Sequence, residues 1–222
     1  MTRVVVTGYA SFDHVMQLDG VPVPGATTRI LCRPAQAWPR VGGSPAYVAA
    51  ALVAGGVPDA VPLSWVGADA EGDAYRAALD ARGIRSDGIA RVAGGRTPMA
   101  LLGYTPDGGC LCLYHASLPE PLAITPHQDA LLRAAAWVCV TVGPAEITER
   151  VLALPPPRIA WAVKHDARAL TRARAQALAT RADLICFSQA EAEFIASVGG
   201  LRPDCIAVET RGAIGVALRV GA

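Results

Sequence analysis

Two adjacent glycines and one lysine are the residues of this 222-residue chain best placed by type and spacing to meet a ligand. Gly42 and Gly43 lead directly into Ser44-Pro45-Ala46-Tyr47-Val48-Ala49-Ala50-Ala51-Leu52, an apolar stretch with helical spacing. Glycines at a helix start carry no Cβ, so a ligand can approach bare backbone N–H groups at the positive end of the helix dipole. A purely structural glycine turn is the alternative. Ser44 is expected to cap the first turn, and Pro45 is tolerated there because its missing N–H would be unpaired anyway. Val48, Ala51, Leu52 and Gly55 then fall on one helical face. Lys164 stands just past an apolar strand-like run at 159–163, where it suits contact with a phosphate or an anionic substrate. Its alternative is a solvated pairing with Asp166.

Other chemistries find less support. The six cysteines (Cys32, Cys110, Cys112, Cys139, Cys186 and Cys205) form no C-x-x-C pair, and the four histidines are scattered without metal-ligand spacing. Most of the cysteines sit in apolar strand-like runs, so buried free thiols in a reducing compartment are expected. Cys110 and Cys112 share one face of a strand, which suits packing. The formal net charge of +1 supplies no electrostatic reason to expect nucleic acid or an anionic membrane as partner. The arginines of 168–181 read as a solvated helix face. No apolar run approaches the roughly 20 residues that span a bilayer, and the N-terminus opens into Val4-Val5-Val6 without a signal peptide. A cytoplasmic protein is the expectation. With 52% hydrophobic and 18% charged residues, the chain can bury a large core.

The elements that must position these residues follow from periodicity and turn chemistry. Strand-like runs are expected at 3–7, 60–66, 97–104, 110–115, 137–142, 159–163, 184–187, 205–209 and 214–220. Helices are expected after Gly43, around Tyr75, Ala78 and Leu79 with Gly83 as stop, around Ile147, Val151 and Leu154 with Pro155-Pro156-Pro157 as stop, and over 168–181 and 189–198. Thr105-Pro106-Asp107-Gly108-Gly109 predicts a hairpin between two of the strands. From about residue 41 strands and helices mostly alternate, which argues for a parallel sheet with helices on each side and ligands beyond the carboxyl ends of its strands. The hairpin at 97–115 and the segment near 28–37 break the alternation and suit a small accessory sheet or lid.

In this order along essentially the whole chain, the motifs resemble the ribokinase-like (PfkB) carbohydrate kinases. Gly8 with Asp13 looks like the opening strand and substrate aspartate of that family, and Gly42-Gly43-Ser44-Pro45-Ala46 looks like its first signature. Val66-Gly67-Ala68-Asp69-Ala70-Glu71-Gly72 resembles its V-G-x-D-x-x-G segment, with Ala81-Arg82-Gly83-Ile84 as the usual sequel. Ser188-Gln189-Ala190-Glu191 resembles N-x-x-E, and Thr210-Arg211-Gly212-Ala213-Ile214-Gly215 resembles the T-x-G-x-x-G loop of the nucleotide site. The chain departs from the family at Tyr47 and Ser188, where asparagine is usual.

The resemblance implies one α/β domain over 1–222: a three-layer sandwich with a mostly parallel central sheet and a small β lid from about 9–40 and 97–115. It implies ATP-dependent phosphorylation of a hydroxyl on a sugar or nucleoside, with magnesium. Asp13, Gly42, Gly43 and Tyr47 would contact the acceptor. Lys164, Ser188, Thr210, Arg211 and Gly212 would face the nucleotide, and Glu191 would organise magnesium through water. Tyr47 could instead simply pack, and Glu191 could be an ordinary helix glutamate. The family's D-T-x-G-A-G-D segment, which carries the catalytic aspartate, finds no match before Ala222, so no catalytic base is assigned. Asp69, Asp166 and Asp183 are not promoted to that role. The expectation is a kinase by descent, C-terminally truncated, whose catalysis by this chain alone is not assumed. The alternatives are an inactive sugar- or nucleoside-binding or regulatory module and one part of a split kinase. A homodimer through the lid or a C-terminal partner chain is the assembly implied.

Overall fold

The computed structural model describes residues 2–155, 157–164, 166 and 169–220. The expected helix stop at Pro156, helix start at Arg168 and chain end at Ala222 lie outside the described residues.

The larger sheet is built around Val4–Thr7 (β1), which pairs in parallel with Ala60–Gly67 (β5) on one side and Trp137–Val140 (β9) on the other. Ile89–Val92 (β6) lies outside β5. Arg158–Ala162 (β10), Leu184–Ser188 (β11), Ile206–Thr210 (β12) and Val216–Val220 (β13) follow outward from β9. Within this sheet, among the described residues, β13 alone runs antiparallel to its neighbour. Crossovers are made by Ser44–Ala54 (α1), Ala70–Asp80 (α2), Pro126–Arg133 (α3), Ala145–Ala153 (α4), Arg172–Arg181 (α5) and Ala192–Ser197 (α6). Alternation along the strands supplies two cores, one on each face. Val5, Val61 and Leu63 enter a cluster with Trp161, Leu178 and Ile185, whereas Val6, Ala60 and Val66 enter one with Ala49, Tyr75 and Leu79. The result is the three-layer α/β sandwich with a mostly parallel central sheet that the strand and helix pattern implies.

Ser11–Leu18 (β2), Ile30–Cys32 (β3), Arg40–Gly42 (β4), Met99–Tyr104 (β7) and Cys110–His115 (β8) make a second, smaller sheet in the order β3-β2-β7-β8, with β4 also on β2. Asp69 ties this sheet to the core. Its Oδ1 accepts from the Gly72 N–H at 2.8 Å, capping α2, and from the Thr97 hydroxyl at 2.6 Å, while Oδ2 accepts from the Thr97 N–H at 2.8 Å. The V-G-x-D-x-x-G segment is therefore a structural clasp between α2 and the strand that starts the hairpin. No helix among the described residues is long and apolar enough to cross a membrane.

Several local expectations are corrected. Gly43, not Ser44, is the N-cap of α1, and no side chain caps that turn. The buried positions of α1 are Pro45, Ala46 and Ala49 rather than the Val48–Ala51–Leu52–Gly55 face. This helix is apolar almost all round, so periodicity cannot choose its face; its small alanines face the sheet because they let the backbones approach closely. Cys32, Cys110 and Cys112 are exposed, and among the six thiols Cys205 alone is buried. The exposed ones lie on β3 and β8, the outer strands of the smaller sheet, where no layer covers them. Residues 189–198 are a 3-10 turn followed by α6 rather than one helix. Strand β6 and helix α3 were not expected. β6 is short, and the buried Gln128 of α3 owes its place to a tertiary contact, donating from Nε2 to the carbonyls of Ser64 at 2.9 Å and Gly88 at 3.1 Å.

Candidate functional site

In the larger sheet the chain adds β5 and β6 on one side of β1 and then returns through β9 on the other, so the crevice beyond the carboxyl ends of β1 and β9 is the topological switch of the sheet. The smaller sheet stands over that crevice. The two together enclose a cleft of about 300 Å³.

Asp13 is its buried charged group, only 5% exposed. Alternation on β2 puts Ser11 and Asp13 on the same face, and the Ser11 hydroxyl donates to Asp13 Oδ1 at 2.8 Å. The Tyr47 hydroxyl, from the first turn of α1, donates to Oδ2 at 3.0 Å. Each carboxylate oxygen thus has one donor from the protein and keeps acceptor capacity for a ligand hydroxyl. Burial, then the charge of Asp13, pushes the Tyr47 phenol up to about 12. The Arg40 guanidinium lies over the Tyr47 ring, 5.5 Å from its centroid.

The glycine pair is explained by this carboxylate and by the backbone. A Cβ on Gly42 would stand 2.0 Å from Asp13 Oδ1 and 2.1 Å from its Cγ. Gly43 has φ of +86°, and a Cβ there would stand 2.2 Å from the carbonyl oxygen of Tyr9. The buried Tyr75 hydroxyl donates to the Gly42 carbonyl at 2.8 Å and holds β4 against α2. Gly43, Tyr47 and Asp13 share the cleft with Lys164, which reaches it from beyond β10. Four of the expected residues are therefore brought together, and Gly42 forms the floor beneath Asp13.

The remaining expected residues gather at the ends of β11 and β12. Ser188 and Thr210 are register partners on these strands. Glu191 Oε2 accepts from the Ser188 N–H at 2.9 Å and from its hydroxyl at 2.8 Å, so this pair caps the 3-10 turn. No group of three His, Cys, Asp or Glu side chains able to hold a metal occurs among the described residues. With Glu191 engaged in that cap, these side chains do not by themselves compose a magnesium site. Arg211 binds the buried Glu209 through both carboxylate oxygens, at 3.1 and 2.9 Å, and Arg219 joins it at 2.9 Å. The hydrogen bond from Arg211 comes first among the causes that hold the Glu209 carboxyl below its usual range. Gly212 turns the chain with φ of +56° toward the β12–β13 hairpin.

Sequence reasoning missed the aromatic wall of the cleft. Tyr9 follows β1 and Tyr114 lies on β8; their rings meet at 5.4 Å and 48°. Burial raises the Tyr9 phenol, with the charges of Asp166, Glu120 and Glu146 adding to it, and burial likewise raises Tyr114. Cys112, one strand step from Tyr114 on the same face, also lines the cleft. The alternation of 110–114 carried that signal, since it sets Cys110, Cys112 and Tyr114 on one face.

The profile of the pfkB family carbohydrate kinases matches residues 1–207. No curated protein sequence matches the chain. Among solved structures, a ribokinase from Cryptococcus neoformans var. grubii in complex with ADP superimposes with a TM-score of 0.79 at 17% identity, covering 100% of this chain and 76% of that one. A nucleoside kinase from Burkholderia thailandensis in complex with inosine gives 0.75 at 16% identity over 98% of this chain and 72% of that one. Arabidopsis thaliana ribokinase complexed with ribose and ATP gives 0.71 at 18% identity over 99% and 75%.

Proposed function

The chain belongs to the pfkB family of carbohydrate kinases, and from that premise we propose that it seats the hydroxyl-bearing acceptor of a phosphoryl transfer over Asp13, with ATP approaching from the ends of β10, β11 and β12. Phosphoryl transfer asks little covalent chemistry of a protein; it asks for alignment of acceptor and γ-phosphate and for neutralisation of charge. Asp13 accepts hydrogen bonds from two acceptor hydroxyls, its carboxylate oriented beforehand by Ser11 and Tyr47. Gly43 lets the acceptor lie against backbone. Lys164 offers its ammonium where the acceptor faces the phosphate. Thr210 and the Gly212 backbone turn meet the nucleotide phosphates. Magnesium, when bound with ATP, would supply charge neutralisation on the phosphates. No described residue is assigned the base. The acceptor class is a sugar or nucleoside, in keeping with the ribose and inosine held by the similar proteins, and the compartment is the cytoplasm.

The observation that carries this reading is the buried Asp13 carboxylate lying against Gly42 at the floor of the cleft. A second reading has its own support. Glu191 is taken up by Ser188, and Arg211 by Glu209, so two groups expected at the nucleotide are committed to local structure. That favours a module that holds a sugar or nucleoside without transferring phosphate to it. Thermal unfolding with a panel of sugars and nucleosides tests the seat: a stabilising ligand whose effect is lost in Asp13→Asn is expected, and a panel without any stabilising member refutes it. Acceptor-dependent ADP release in the presence of ATP and magnesium separates the two readings. Release identifies the kinase; stabilisation without release identifies the binding module.

A further inference from the structure

The wall of the cleft is chemically one-sided. Asp13, Lys164 and Asp166 supply its charges. Beside Asp13 on the smaller sheet the lining turns apolar: Asp13 on β2 is followed across the strands by Ala100 on β7 and Tyr114 on β8, with Leu102 and Cys112 paired two residues further along β7 and β8. A free sugar carries hydroxyls around its whole ring, and those turned toward Ala100 and Leu102 would be buried without partners, at a cost comparable to a lost hydrogen bond each. A molecule with hydroxyls on one end and a flat apolar surface on the other fits both halves of the wall.

The flat half has a built partner. Tyr9 and Tyr114 meet with their rings tilted, at 5.4 Å and 48°, one carried by the loop after β1 and the other by β8. Both rings line the cleft, and both also line a second cavity of about 160 Å³ together with Trp65 and Leu118. The tyrosine pair is therefore a wall common to two neighbouring spaces. Tyr114 is 42% exposed and sits on an outer strand, so its ring can move without disturbing either core. Aromatic rings offset in this way present faces on which another planar ring stacks.

We infer that the acceptor is a nucleoside rather than a free sugar, and that Tyr9 and Tyr114 select it by stacking on its base while Asp13 holds its ribose hydroxyls. This rests on the reading of Asp13 as the hydroxyl seat and goes beyond it by naming the group that fills the rest of the cleft. The specificity then resides in the tyrosines, whose loss weakens the nucleoside and leaves the sugar as it was.

The test compares D-ribose with inosine, in which a base replaces the anomeric hydroxyl of the ribose, by isothermal titration against the full chain and its Tyr114→Leu, Tyr114→Phe and Asp13→Asn variants. Inosine is expected to bind about tenfold to hundredfold more tightly than ribose, the range that stacking of one base supplies. Tyr114→Leu is expected to remove most of that advantage without changing ribose affinity, and Tyr114→Phe to keep it. Equal affinities for the two ligands, or an inosine preference untouched by Tyr114→Leu, overturns the inference. The two levels fail differently. Ribose bound in an Asp13-dependent way with no gain from the base sinks only the nucleoside assignment. Absence of binding by either ligand sinks the Asp13 seat and the assignment with it.

Discussion

Replacing Gly42 by alanine puts the relation between the glycine pair and Asp13 to a quantitative test. The three heavy atoms nearest to a Cβ at this position, at 2.0, 2.1 and 2.4 Å, are Oδ1, Cγ and Oδ2 of Asp13. The carboxyl cannot swing aside freely, because it is buried and bonded to the Ser11 and Tyr47 hydroxyls. Overpacking of this kind costs about 1–3 kcal/mol, which for a chain of this length lowers Tm by roughly 3–10 °C. The backbone at Gly42 lies outside the left-handed region, so alanine meets no conformational penalty there. Once the carboxyl is removed by Asp13→Ala, the same Gly42→Ala change loses its obstacle. It should then be neutral, or stabilising by about 0.4–1 kcal/mol through the smaller entropy of the unfolded chain. A double-mutant cycle by urea unfolding, with Gly42→Ala measured in the wild-type and Asp13→Ala backgrounds, reads this reversal directly. If Gly42→Ala costs the same in both backgrounds, the glycine is not there to make room for the carboxylate, and the account of the cleft floor is wrong.

Gly43→Ala behaves differently: with φ of +86° and a Tyr9 carbonyl oxygen 2.2 Å from the new Cβ, it is expected to cost about 1–3 kcal/mol from backbone strain alone and, in the same unfolding assay, to find no relief in the Asp13→Ala background. Gln128→Met leaves the carbonyls of Ser64 and Gly88 without their shared donor, and thermal unfolding should record a loss of about 2–4 kcal/mol; a change under about 0.5 kcal/mol would mean that this bridge does not hold β5 and β6 together. Asp69 supplies a pH dependence. Burial opposes its charge, but the hydrogen bonds from the Thr97 hydroxyl and N–H and from the Gly72 N–H outweigh burial and hold its carboxyl below the ordinary 3.8. Its stabilisation is therefore complete above that ordinary value and is lost as pH falls through the lower folded one. Asp69→Asn keeps an oxygen able to cap α2 but sets an amide NH2 against the Thr97 N–H that Oδ2 accepts, so it should lose about 1–3 kcal/mol at neutral pH and show a smaller further drop on acidification than the wild type; parallel pH profiles for the two proteins would refute the assignment.

What the sequence by itself determined is the part written in local periodicity and turn chemistry. Val4-Val5-Val6, the run 60–66 and the later apolar runs could only be buried strands, and the helices between them imposed a parallel sheet with ligands at its carboxyl edge. Gly42 and Gly43 marked the floor of the cleft because their lack of a side chain is visible in the residue type itself. The tertiary structure decided what depends on distant partners. Whether α1 buries Ala46 and Ala49 or Val48 and Leu52 is set by how closely a helix can approach the sheet, and an all-apolar helix carries no record of that choice. Asp13 meets Tyr47 across 34 positions of sequence, and Glu209 draws in Arg219 across a hairpin; such pairings arise only when strands and helices come together in the fold. The tyrosine wall joins Tyr9 to Tyr114 between two sheets. Each ring is an ordinary aromatic residue in its own strand or loop, and only the packing of one sheet over the other makes them a pair.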